Sequence, residues 1–156
     1  MLKKSLIVVA CIVALSFGIA VNLLNRVDFT TLEGEEYRWQ NLQGKWVVVN
    51  YFAEWCAPCL REIPQLNQFY RDNKHELAMF AVSFDPLSHE QLEGLQSKYD
   101  IQFPVIASFT TQMPMQSPKN LPVTFLIHPD GTVAKQLFGE QSAASLSAAL
   151  TALKGL

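Results

Sequence analysis

Cys56 and Cys59 enclose only Ala57 and Pro58 in the stretch NYFAEWCAPCLREIPQL, residues 50–66. Two thiols at that spacing can serve as a structural crosslink, as half of a metal site, or as a dithiol that opens and closes. A crosslink over so short a loop removes little entropy from the unfolded chain. A chain of 156 residues also has core enough to fold without one. Structural zinc takes four ligands, commonly with a second cysteine or histidine pair at close spacing. Here the third cysteine, Cys11, sits in an apolar run, and His75, His89 and His128 are scattered. Thiol–disulfide exchange is the chemistry that the surroundings favour.

Those surroundings are a strand and a helix. WVVVNYF, residues 46–52, is a continuous apolar and β-branched run, as expected of a strand buried on both faces. LREIPQLNQFYRDNK, residues 60–74, spaces Leu60, Ile63, Leu66, Phe69 and Tyr70 at three and four residues, the signature of a one-faced helix. Pro64 should bend it, because proline removes a ladder hydrogen bond. The first cysteine is therefore expected at a helix N-terminus. Free N–H groups and the helix dipole stabilise a thiolate there and lower its pKa below about 8.5. Cys59, one turn further in, is placed to attack a mixed disulfide formed at Cys56. The expectation is an exposed nucleophile and a recessed resolving thiol.

The remaining elements define the scaffold. FTTLEGEEYRWQNLQGK, residues 29–45, has turn signals at Glu33-Gly34 and Gln43-Gly44 and reads as a hairpin or extended lead-in. LAMFAVSFD (77–85) predicts a strand, HEQLEGLQSKYD (89–100) an amphipathic helix, and FPVIAS a short strand. A loop rich in Pro, Met and Ser covers 108–120. LPVTFLIHPDGTVAKQLFG (121–139) then reads as two antiparallel strands joined at Pro129-Asp130-Gly131, followed by an alanine-rich helix. Strands alternating with helices predict a mainly parallel central sheet, with the late hairpin as an antiparallel edge.

The N-terminus carries a separate message. After Lys3 and Lys4, residues 6–24 run without a charge, and as a helix they would extend about 28 Å, near the thickness of a bilayer core. This favours an uncleaved anchor, with a cleaved signal ending near Gly18-Ile19-Ala20 as the alternative; Val8-Val9-Ala10-Cys11 is a poor lipobox. The two lysines place the N-terminus in the cytoplasm and the rest outside it. Lys+Arg 12 against Asp+Glu 14 provides no basic excess for a nucleic-acid partner.

Phe52-Ala53-Glu54-Trp55-Cys56-Ala57-Pro58-Cys59 resembles the thioredoxin active site. The flanks resemble the membrane-anchored TlpA/ResA-like thiol–disulfide oxidoreductases of bacterial envelopes, through LQGKWVVVN (42–50), REIP (61–64), YDIQFP (99–104), LPVTFLI (121–127) and Phe138-Gly139. The resemblance implies a thioredoxin-like α/β fold, a central mixed sheet flanked by helices, over residues 25–156. Residues 1–24 form the anchor or signal helix. It implies a cis peptide bond at Pro122, with the Leu121 backbone offered to an extended substrate segment. Trp55, a large flat side chain next to Cys56, reads as a wall that shields the reactive sulfur and contacts substrate, with core packing as the alternative; Pro58 is expected to contact substrate as well. Thioredoxin has a buried Asp where this chain has Asn50. The TlpA/ResA-like proteins commonly share this Asn and carry a Glu at the position of Glu62, which is either near the cysteines or a solvated helix carboxylate. Val123 stands where relatives often have Thr and is expected to make the substrate groove more apolar.

The activity so implied is reduction of disulfides in exported proteins, such as apocytochrome c or oxidase-assembly proteins. It would take place on the periplasmic side of a bacterial cytoplasmic membrane, with electrons from a membrane donor and no cofactor. Operation as an oxidant or isomerase is the alternative within the same chemistry. From a different class, Met113 or Met115 with the reduced cysteines could hold Cu(I), since thioethers and thiolates are soft ligands.

Overall fold

The computed structural model describes residues 26–155, together with residues 12, 14–16 and 18. The anchor or signal assignment for 1–24, its apolar run 6–24 and Cys11 otherwise lie outside the described residues. Among those described, no helix is long and apolar enough to cross a membrane.

In chain order the elements are strands β1 (Phe29–Thr31) and β2 (Glu36–Tyr37), a 3-10 turn (Trp39–Leu42) and strand β3 (Trp46–Phe52). Helix α1 (Ala57–Asn73), strand β4 (Leu77–Ser83), helix α2 (His89–Lys98) and strand β5 (Ile106–Phe109) follow. The chain closes with strands β6 (Val123–Ile127) and β7 (Val133–Phe138) and helix α3 (Ala143–Lys154). Capping boxes at Ser88 with Gln91 and at Ser142 with Ser145 start α2 and α3.

The strands form a four-stranded sheet ordered β4-β3-β6-β7 and a three-stranded sheet ordered β2-β1-β5. A parallel bridge between Ala81 and Val105 links them. The sheet is mixed, but it is not mainly parallel. Only β3 and β4 form a parallel ladder, whereas β6 runs antiparallel to both β3 and β7. The physical reason is the connection: no helix lies between β5 and β6, and a parallel return usually needs a helical crossover.

Strand β3 is buried at all seven positions because both of its faces are covered. Val48 and Phe52 join Ile63, Leu66 and Phe69 of α1, Leu92 and Leu95 of α2, and Leu146 and Leu150 of α3 in one cluster. Val47, Val49 and Tyr51 point the other way, into a second cluster with Phe29, Leu42, Phe80, Met115 and Phe125. The period-2 alternation of a strand thus sorts β3 between a helical layer and a layer built by the N-terminal hairpin and the loop before β6. Pro64 lies inside α1 on its exposed side, and the helix continues past it to Asn73.

Candidate active site

Cys56 is the N-cap of α1, and its Sγ accepts a hydrogen bond from the Cys59 backbone N–H at 3.3 Å. This N–H is one of the four that a helix start leaves without an intrahelical partner. Pro58 falls in the first turn, where a missing N–H costs no ladder bond. The two sulfurs are bonded at 2.04 Å, with Cα atoms 5.3 Å apart. Cys56 is 5% exposed and Cys59 0%. The order of depth is the expected one, but Cys56 is not an exposed group in this state, since its sulfur is tied back to a fully buried partner.

Glu62 is not the solvated helix carboxylate that was one of its two readings: it is 1% exposed. Oε1 accepts from Asn50 Nδ2 at 2.8 Å, and Oε2 accepts from the Gln141 backbone N–H at 2.8 Å. Asn50 also donates to Thr124 Oγ1 at 3.0 Å. Desolvation raises the Glu62 pKa to about 7; the donors from Gln141 and Asn50 pull it down, and the nearby Glu140 charge adds to the rise. Gly139, at φ 79°, turns the chain after β7 and donates to the Pro122 carbonyl at 2.9 Å. That turn delivers Gln141 to Glu62, and an Arg61–Glu140 ion pair at 2.8 Å closes it from outside.

The Leu121–Pro122 bond is cis. Tyr51 pairs with Val123, so the antiparallel register sets Pro122 at the end of β3 from which the chain proceeds to Cys56. Leu121 is half-buried and touches both hydrophobic clusters. Val123 is 0% exposed, which corrects the expectation that it lines a substrate groove. Adjacent strand residues face opposite ways, so Val123 enters the second cluster while Thr124 reaches Asn50.

Trp55 is 65% exposed. Its Nε1 donates to Asp85 Oδ2 at 2.8 Å, and its ring meets Phe84 edge-on at 6.0 Å. Phe84 and Asp85 were legible only indirectly: parallel strands end on the same side, so residues just past β4 must stand beside those just past β3. Met115 is buried in the second cluster and Met113 packs against it, whereas both cysteines belong to the first. Among the described residues, no group of three or more His, Cys, Asp or Glu side chains is placed to hold a metal.

A redox disulfide at a helix N-terminus, a buried carboxylate on the same helix and a cis-proline at the strand end make a thioredoxin-type exchange site. The AhpC/TSA family matches residues 22–136. The chain belongs to that family. Among its curated relatives is the thiol-disulfide oxidoreductase ResA of Bacillus cereus, 35% identical over 115 residues, covering 72% of this chain and 66% of that protein. The match thus spans just under two thirds of that relative. The ResA protein of Geobacillus thermodenitrificans is 30% identical over 126 residues, covering 79% of this chain and 71% of that protein. The crystal structure of StoA from Bacillus subtilis shares the fold, with a TM-score of 0.65 and 23% identity over 78% of this chain and 92% of that one. The chain is accordingly a homologue of thiol–disulfide oxidoreductases with a thioredoxin-like fold.

Proposed function

We propose that this protein reduces disulfides of exported proteins through the Cys56–Cys59 dithiol, tethered by its N-terminal segment to the outer face of a bacterial cytoplasmic membrane. The observation that carries the reading is the disulfide at the start of α1 with Glu62 buried on the same helix. In the forward step the Cys56 thiolate attacks one sulfur of the substrate disulfide. A Cys56–substrate bond forms, and the other substrate sulfur leaves as a thiolate. Cys59, deprotonated, then attacks Cys56 Sγ; the second substrate thiolate leaves, and the two electrons of the dithiol have passed to the substrate.

Each side chain has a task in that sequence. The Cys59 N–H, aimed at Cys56 Sγ, stabilises negative charge on that sulfur. Glu62 titrates near neutrality, where a general base is most effective, and is assigned the Cys59 proton. The Leu121 backbone holds the substrate segment as an added strand, and Trp55 and Pro58 flank it. No basic residue lies between the cysteines to acidify Cys56 strongly, as a strong oxidant requires. The reducing direction then needs a membrane electron donor of the thiol-reducing type, because the periplasm holds no comparable dithiol buffer. Apocytochrome c and oxidase-assembly proteins are the candidate substrates.

The test is the midpoint potential of the pair against defined thiol–disulfide buffers. A value near or below about −230 mV supports the reductase, and one near about −120 mV replaces it with an oxidant. Cys59→Ser should accumulate a mixed disulfide with substrate, and Cys56→Ser should form none.

A further inference from the structure

A cavity of about 790 Å³ opens past the ends of β3 and β4, lined in part by Phe84, the ring neighbour of Trp55, and takes no part in the chemistry above. Its floor is Tyr51 and Val82, the last inward residues of β3 and β4. Phe84 and Phe109, 41% and 42% exposed, stand at its rim, and Met113 and Met115 form its outer wall. These residues tie it to the exchange site on two sides. Phe84 meets Trp55, the neighbour of Cys56, edge-on at 6.0 Å. The loop that carries the methionines runs directly into Leu121 and the cis-proline. Tyr51 and Met115 nevertheless belong to the cluster across the sheet from the cysteines. A substrate cysteine bonded to Cys56 is therefore not the cavity's occupant; the candidate is a neighbouring residue of the same polypeptide, which advances about 3.3 Å per residue when extended.

The lining states what that residue is. None of the side chains lining the cavity is charged, so a charged occupant would lose water without gaining a partner. The walls combine aromatic rings, prolines and two methionines with the uncharged polar residues Ser83, Thr111, Gln112, Gln116 and Ser117; thioethers make favourable, adaptable contacts with rings, and the polar groups suit an occupant with a polar tip. Tyr51 is 5% exposed, and no described residue hydrogen-bonds its hydroxyl. Among the described residues the one sealed side-chain polar atom without a partner is Thr31 Oγ1, so the Tyr51 hydroxyl still meets solvent; Tyr51 lines the cavity, and its hydroxyl is free to pair with an occupant. We infer that the cavity is a specificity subsite for an aromatic side chain with a polar tip, tyrosine or tryptophan, flanking the reactive cysteine of the substrate polypeptide. The inference rests on the reductase reading and adds the substrate class to it.

The experiment oxidises the reduced full chain, in single turnover, with disulfide-linked peptides that carry Tyr, Phe or Ala beside the cysteine. Oxidised glutathione is the reference. For the unaltered chain the Tyr peptide should react about tenfold faster than the Ala peptide, the scale of one well-matched pocket contact. Tyr51→Phe, a change that keeps the packing, should erase the advantage of Tyr over Phe. Met113→Lys, which puts a charge in the wall, should bring the Tyr and Ala peptides within about twofold of each other, with their rates read relative to glutathione. Equal rates for the Tyr and Ala peptides in the unaltered chain overturn the inference, as does a Tyr51→Phe chain that keeps the Tyr preference. Failure of every disulfide, glutathione included, to oxidise the chain would strike the reductase reading itself and this inference with it.

Discussion

The side-chain amide of Asn50 donates to the carboxylate of Glu62 at 2.8 Å, in a setting where Asn50 is 2% and Glu62 1% exposed. A carboxylate so far from water would be costly unless hydrogen-bonded. Two donors reach it, yet desolvation still dominates and leaves the group titrating at about 7. An asparagine suits this position because its amide can present either end. The NH2 faces the charged carboxylate, as here; turned over, the carbonyl would accept from the protonated acid. Thr124 can accept from the one and donate to the other, so both protonation states of Glu62 are satisfied without moving the backbone.

Glu62→Gln should change how stability depends on pH. The folded-state pKa, about 7 against an ordinary 4.5, is raised, so the folded protein holds this proton more tightly than the unfolded chain. The contribution is fully present below about pH 4.5 and is lost as pH rises through about 7, amounting to about 3 kcal/mol. The glutamine variant should lack that decline, because the turned amide of Asn50 satisfies it at every pH. Urea denaturation of the oxidised protein from pH 5 to 8 measures this. An unchanged slope would show that Glu62 ionises normally.

Glu140→Gln acts on the same carboxylate from outside. The charge of Glu140 raises the pKa of Glu62, so removing it should move the pH midpoint of mixed-disulfide resolution downward. The ion pair with Arg61 is largely exposed, and such pairs contribute little to stability. The melting temperature should therefore stay close to that of the unaltered protein. A pH–rate profile for resolution, read beside a thermal melt, separates the two effects; an upward shift would contradict the assignment.

Trp55→Ala should leave the fold intact and weaken substrate handling. The ring is 65% exposed and its Asp85 hydrogen bond lies at the surface, so little core is lost. Truncating an aromatic contact commonly costs tenfold or more in binding. We expect a roughly tenfold lower rate with protein disulfides and a much smaller change with oxidised glutathione. Equal losses on both would point to a role in the reactivity of Cys56 instead of in substrate contact.

How much of this was legible in the chain itself varies with the range of the interaction. The position of Cys56 at the start of α1 follows from residues within about a dozen positions: a β-branched run before it, a helical period after it and a proline in the first turn. The same local logic locates β3, β4 and the two helices with capping boxes. Pro122 and its cis bond came from a family resemblance and not from any physical signal in its neighbours.

What only the tertiary structure decided concerns groups brought together from afar. Glu62 reads equally as a surface or a buried carboxylate until Thr124 and the Gln141 N–H, from β6 and the turn after β7, close over it with Asn50. Val123 turns into the core and Thr124 faces Asn50 because register, not residue type, chooses the face. The antiparallel return of β6 and the cavity over Tyr51 both depend on how the helix-free segment before Leu121 lies across the sheet. Periodicity and capping are properties of a few consecutive residues, so the chain specifies them by itself. Desolvation depends on everything that surrounds a group, and at Glu62 it exists only once distant strands have packed.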